Sequence, residues 1–171
     1  MTTKEPILTK ATEDRFSGLS PTELNEMEKQ SLVALALTLL ANRHRAGELL
    51  SSPDETRSYL RLRLAERKNE VFGCVFLDNR HRVIEVTELF QGTIDGASVH
   101  PRVVVQKALE LNAAATLLFH NHPSGVAEPS HADEAITRRV KDALSLIDVR
   151  VLDHFVVTAG ESVSFAENGL I

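Results

Sequence analysis

Apolar positions along the chain alternate between two rhythms, one of strands and one of helices. From Glu70 to Leu77 the run Glu-Val-Phe-Gly-Cys-Val-Phe-Leu is apolar on both alternating faces, which predicts an interior strand covered on both sides. Asp78-Asn79-Arg80-His81 reads as a turn, and Arg82 to Phe90 as the returning strand of a hairpin. Two further apolar strands are predicted at Ala114 to His122 and Val149 to Val157, with a short one at Ser162 to Phe165 after an Ala159-Gly160 turn. Helical spacing governs the segments between them. Pro101 to Asn112 turns Val104, Val105, Ala108 and Leu111 inward, and Ser130 to Ile147 does the same with Ile136, Val140, Ala143, Leu144 and Ile147. Ser52-Pro53-Asp54-Glu55 opens another helix running to about Lys68, with Ser as cap, Pro at the first helical position and Glu three residues beyond the Ser.

Upstream the pattern changes. Residues 1–28 are polar and without sustained period, and are expected to form a flexible tail with at most a short helix over Pro21 to Met27. Residues 29–48 predict a helix in which Leu32, Val33, Leu35, Leu37, Leu39 and Leu40 are apolar on most sides. Such a helix needs a hydrophobic partner, either the main domain or a second copy of the chain, so a homo-oligomer is one expectation. The main domain is expected over residues 52–171. Helix, hairpin, helix, strand, helix, strand predicts an α/β layered domain around a mixed sheet.

Composition narrows the function classes. With 171 residues and 43% hydrophobic content, the chain has enough apolar material for one good-sized core. A net charge of −5 argues against a broad nucleic-acid-binding face. Arg138, Arg139 and Lys141 form a small basic group that reads best as a solvated helix face. Cys74 is the single cysteine, which excludes a disulfide framework and Cys-rich zinc modules. No apolar run suits a signal peptide or a spanning helix, so the cytoplasm is the default compartment and no membrane partner is expected.

The candidate chemistry lies in Phe119-His120-Asn121-His122-Pro123-Ser124-Gly125 and Ser130-His131-Ala132-Asp133. Two residues apart on a strand, His120 and His122 project to one face. Asp133 opens the next helix, where a short loop can bring its carboxylate over the two imidazoles. Each piece has a bland explanation: a lone strand His is usually structural, and Ser130-x-x-Asp133 is by itself a capping box. Together they place two imidazoles and a carboxylate where packing alone gains little, the ligand set of a catalytic metal site with one open position. The set suits zinc and also non-haem iron. Water activation needs a general base, and Glu70, Glu85 and Glu88 lie upstream. Glu70, at the rim of the two-sided strand, is favoured by position, whereas alternation can send either of the others to solvent. The Pro-Cys-x-x-Cys ligands of a zinc deaminase and a His-Glu-x-x-His run are both absent.

His120-x-His122-Pro123-Ser124-Gly125 followed by Ser130-x-x-Asp133 resembles the metal motif of the JAB1/MPN/Mov34 (JAMM) metalloenzymes. Glu70-Val71-Phe72, Gly92-Thr93-Ile94-Asp95, Val99-His100-Pro101-Arg102 and Val151-Leu152-Asp153-His154 are similar to one branch of it, the RadC family, over about residue 52 to Ile171. The resemblance implies a JAMM fold, a mixed sheet flanked by helices in a deaminase-like layered arrangement. It implies zinc held by His120, His122 and Asp133, with Glu70 as the base. Ser130 would stabilise the tetrahedral intermediate. The implied reaction is hydrolysis of a peptide or isopeptide bond in an unknown substrate. Longer RadC proteins carry a helix-hairpin-helix module suggestive of DNA, whose Gly-rich hairpins are not found here, so the chain is expected to be a short form of the kind carried by mobile elements. The rival expectations are a non-catalytic metal-binding interaction module and a DNA-repair or recombination accessory factor. Asp153-His154 is expected to support the metal ligands or the fold. His100 is expected at a helix start, Asn121 and Ser124 at the rim of the site, and His131 in solvent.

Overall fold

The computed structural model describes residues 24–43, 53–64, 67–93 and 98–171. Most of the expected tail, residues 44–48 of the expected leading helix, the Ser52 cap and the middle of the Gly92 to Ser98 loop lie outside the described residues. The chain divides into two units, Met1–Ala36 and Leu37–Ile171. Helix α1 spans Glu26–Arg43. It begins ahead of residue 29 because Asn25 caps it. The Glu28 N–H donates to the Asn25 side-chain oxygen at 3.0 Å, and the Asn25 N–H donates to the Glu28 carboxylate at 2.9 Å. This is a reciprocal capping box written with Asn and Glu.

The larger unit runs α2 (Pro53–Leu64), β1 (Val71–Leu77), β2 (Val83–Gln91), α3 (Pro101–Glu110), β3 (Ala115–Asn121), α4 (His131–Ser145), β4 (Arg150–Val157) and β5 (Ser162–Ser164). The strands form one sheet in the order β2-β1-β3-β4-β5. Every pairing is antiparallel except β3 with β4, which α4 joins as the crossover that parallel neighbours require. This is the mixed sheet flanked by helices that the sequence and its JAMM resemblance imply.

Alternation in the strands builds two cores. Tyr59, Leu60 and Leu64 of α2 cover one face, packing on Val71, Val75, Leu117, Phe119, Phe155 and Val157. Val104 and Ala108 of α3, with Val140 and Leu144 of α4, cover the other, over Phe72, Cys74, Phe76 and Leu118. The continuous apolar run of β1 is thus the mark of a strand buried from both sides, and all seven of its residues are buried. Gly73 is there for close approach: a Cβ would lie 2.3 Å from the Phe119 ring and 2.5 Å from the Thr87 carbonyl oxygen.

One irregularity matters for the site. Thr116 pairs with Val151 but Leu117 pairs with Asp153, so β4 bulges by one residue. Before the bulge, Val151 faces the α3/α4 core and Leu152 the α2 core. After it, Phe155 and Val157 face the α2 core. His154 is thereby turned to the same side as His120, a re-aiming typical of bulges. Asp153 holds the bulge with its carboxylate, which accepts the backbone N–H of His154 at 2.7 Å, that of Ala166 at 2.9 Å and the Ser164 hydroxyl at 2.6 Å. Among the described residues no helix is long and apolar enough to cross a membrane.

Candidate metal centre

β3 delivers His120 within the strand and His122 just past its end, where the His122 N–H still donates to the Val157 carbonyl at 2.9 Å. The chain then turns at Pro123-Ser124-Gly125, with the Gly125 N–H donating to the His122 carbonyl at 3.1 Å. Gly125 has φ of 86°, the left-handed region that favours glycine. The turn carries the Val126 carbonyl back to 2.8 Å from Nδ1 of His122. A carbonyl can only accept, so Nδ1 carries the proton and Nε2 of a neutral His122 is bare.

Ser130 caps α4, and Asp133 completes the capping box. The Asp133 N–H donates to Ser130 Oγ at 3.2 Å, while the Ser130 N–H and Oγ–H donate to Asp133 Oδ2 at 2.7 and 2.6 Å. Oδ2 is doubly engaged, and Oδ1 points to Nε2 of His120 at 3.3 Å. Nε2 of His120 and Nε2 of His122 are 2.9 Å apart, and Nε2 of His122 is 3.6 Å from Asp133 Oδ2. Donors placed tetrahedrally about 2.0–2.1 Å from an ion are separated by about 3.3 Å. These separations, which involve both Asp133 oxygens, lie near that value, and the three side chains could hold a metal ion.

The electrostatics fit a cation. Burial alone would raise the Asp133 carboxyl, but the neighbouring His120 and His122 imidazoles outweigh it and hold it well below the usual carboxylate range. The hydrogen bond to Asp133 raises His122 above its ordinary value against the cost of burial, with the Val126 carbonyl adding to the rise. A proton is therefore the competing occupant of the space a metal would take.

His120 is 1% exposed and His154 fully buried. Nδ1 of His120 lies 2.8 Å from Nε2 of His154. Burial, with His120 alongside, pushes His154 well below its ordinary pKa, so it is neutral. The Asp153-His154 pair thus divides its duties, Asp153 holding the bulge and His154 backing a candidate ligand.

The centre opens into a cleft of about 720 Å³ whose lining includes Glu70, Ser98, His100, Ser124, Ser130 and Arg139. Of the three upstream carboxylates only Glu70 lines it. Glu85 is held by Thr87 and Lys107, and Glu88 by Arg63 and Arg67. Glu70 is locked at its backbone, its N–H donating to the Thr93 carbonyl at 2.9 Å and its carbonyl accepting the Gly92 N–H at 2.8 Å. Asn121, between the two histidines in sequence, faces the other way and brackets the same residue. Its Oδ1 accepts the Val71 N–H at 2.8 Å and its Nδ2 donates to the Asn69 carbonyl at 3.2 Å. Asn121, expected at the rim, does not line the cleft but fixes the backbone that carries Glu70.

His100 is the N-cap of α3 and makes no side-chain cap bond. His131 is exposed at the start of α4. Arg139, read from sequence as part of a solvated face, lines the cleft, whereas Arg138 pairs with Glu134. The signal for Arg139 was the i, i+3, i+6 row from Asp133 through Ile136, which follows one ridge of a helix.

A family model described as the RadC-like JAB domain matches residues 50–170. Curated relatives similar to this chain include a UPF0758 protein of Thioalkalivibrio sulfidiphilus, 68% identical over 126 residues, which are 73% of this chain and 56% of that protein. A UPF0758 protein of Stutzerimonas stutzeri is 54% identical over 159 residues, 91% of this chain and 70% of its own length. One from Nitrosococcus oceani is 62% identical over 125 residues, 73% and 56% of the two chains. The chain thus spans between 56 and 70% of the length of these relatives.

Proposed function

We propose that this chain, which belongs to the RadC-like JAB domain family, is a zinc-dependent hydrolase of peptide or isopeptide bonds. The observation that carries the reading is the convergence of three side chains, from a strand end and a helix start, beside an open cleft: the two Nε2 atoms are 2.9 Å apart, and the two Asp133 oxygens lie 3.3 Å from His120 and 3.6 Å from His122. A divalent ion bound there would supply Lewis-acid chemistry, polarising a carbonyl and making water a nucleophile near neutral pH.

The chain's own residues supply the rest. His120, His122 and Asp133 would hold the ion. Glu70 takes a proton from the attacking water and returns it to the leaving amine, and its locked backbone fixes where the carboxylate can reach. The cleft accommodates an extended peptide. Ser130 donates to the developing oxyanion, for which its hydroxyl must turn from Asp133 Oδ2, the acceptor it serves at 2.6 Å. That engagement favours a second reading, a metal-binding module without catalysis.

The test is metal analysis with Glu70→Gln, assayed on peptide and isopeptide substrates. Retained zinc with hydrolysis lowered by about 10²–10⁴-fold supports the hydrolase. Inactivity of the zinc-loaded wild type across a broad panel leaves the module reading. DNA binding measured against salt settles the accessory-factor alternative, since a phosphate-contacting protein weakens steeply as salt rises.

A further inference from the structure

We propose that Thr137 and His154 form a hydrogen-bond relay that fixes the tautomer of His120 and so keeps its Nε2 free for a metal. The inference concerns why the site prefers a metal to an internal proton, and it rests on the metal-centre reading above.

The relay starts at a hydroxyl. Thr137, buried in α4, has Oγ1 2.6 Å from the Asp133 carbonyl and 2.6 Å from Nδ1 of His154. The carbonyl can only accept, so the single hydroxyl proton goes to it and Oγ1 offers His154 a lone pair. Nδ1 of His154 must then carry a hydrogen. His154 has no exposed surface and packs against the rings of Phe72 and Phe165, surroundings that do not accommodate an imidazolium. A neutral imidazole has one N–H, so Nε2 of His154 is bare and accepts from Nδ1 of His120 at 2.8 Å. His120 has then used its own hydrogen, and its Nε2 faces His122 and Asp133 without one.

The opposite polarity is what the relay prevents. If Nδ1 of His154 were bare, its Nε2–H would point at Nδ1 of His120, and His120 would carry its hydrogen on Nε2. That hydrogen would sit 2.9 Å from Nε2 of His122 and 3.3 Å from Asp133 Oδ1, measured between heavy atoms. The cluster would satisfy itself with no metal at all. Thr137 is the member that breaks this symmetry, although it touches none of the three donor atoms. The β4 bulge at Asp153 belongs to the same device, since without it His154 would face the α2 core.

The deciding pair is Thr137→Val, which keeps the shape and removes the hydroxyl, and Thr137→Ser, which restores it. The readouts are Co2+ affinity, followed by visible absorption in competition titrations, and long-range ¹H–¹⁵N NMR of the imidazoles in metal-free protein. The Val variant is expected to lose roughly 10–100-fold in Co2+ affinity, the range for mutating a partner of a metal-bound His, with His120 shifting to the Nε2–H form. The Ser variant keeps the wild-type affinity and spectrum. Wild-type Co2+ affinity in the Val variant, with His120 still Nδ1–H, overturns the inference. If the Val variant does not fold, wild-type NMR decides alone: an Nε2–H pattern on His120 overturns the relay and an Nδ1–H pattern supports it. Failure of the wild type to bind Co2+ removes the metal-centre reading, while the NMR pattern still tests the relay independently.

Discussion

The two faces of β3 are buried to the same depth and built on opposite principles. Ala115 and Phe119 meet α2 in a core of apolar contacts, where Gly73 makes room for the Phe119 ring. Thr116, Leu118 and His120 face the other way, and there the apolar packing gives way at one end to a chain of paired polar groups. Burying imidazoles costs stability unless their nitrogens find partners; here both nitrogens of His154 and the Nδ1 atoms of His120 and His122 have one, while the two Nε2 atoms converge on the metal position. One face of the strand is therefore specified by shape and the other by the direction of its hydrogen bonds.

The largest effect that separates the faces is expected from Asp133→Asn. The amide still caps α4, so thermal stability changes by no more than about 1 kcal/mol. It does not replace an anionic ligand, and metal content measured by elemental analysis falls to background. Asp153→Ala comes next. It removes the acceptor for two backbone N–H groups and a hydroxyl, and should cost about 3 kcal/mol by denaturant unfolding. Because the bulge aims His154, Co2+ affinity should fall with it.

Gly73→Ala sharpens the contrast from the packed side. The new methyl clashes with Phe119 and the Thr87 carbonyl, for an expected loss of about 2 kcal/mol. Co2+ affinity of the folded protein should be unchanged. If both quantities fall together, the two faces are not independent.

Acidity probes the polar face alone. His122 is raised, so below its folded-state value a proton holds the position and above it the metal meets a bare nitrogen. Affinity should fall with decreasing pH by about tenfold per unit for the one proton displaced, equal to about 1.4 kcal/mol. The smallest effect is expected at Cys74, whose thiol burial pushes up to about 12. It should resist iodoacetamide at about pH 8 in the folded protein and react once unfolded.

Much of this was legible along the chain. The unbroken apolar run of β1 announced two-sided burial, the two-residue spacing put His120 and His122 on one face, and Ser130-x-x-Asp133 marked a helix start whose carboxylate reaches back. Local patterns carry such information because they concern neighbours in sequence. The identity of the carboxylate in the cleft was not local. Glu85 and Glu88 drop out because they lie off the cleft and are paired there with Lys107, Arg63 and Arg67 from other elements. His154 was expected as a support for the ligands or the fold from the family match, but the strand pattern by itself did not place it. Strict alternation from Val151 sends it to the opposite face, and a bulge within a strand apolar on both sides leaves no mark in the pattern. The early start of α1 at Asn25 is a milder case, since a cap written with Asn is easily passed over inside a polar stretch.

The capping box at Ser130 and Asp133 has one more consequence. In a zinc finger the ion is the nucleus of folding, and chelators unravel the chain. Here the candidate ligand Asp133 is already seated by the needs of a helix end, so the site is formed without an ion. An ion held there would be removable cargo, stripped and reloaded while the scaffold stands.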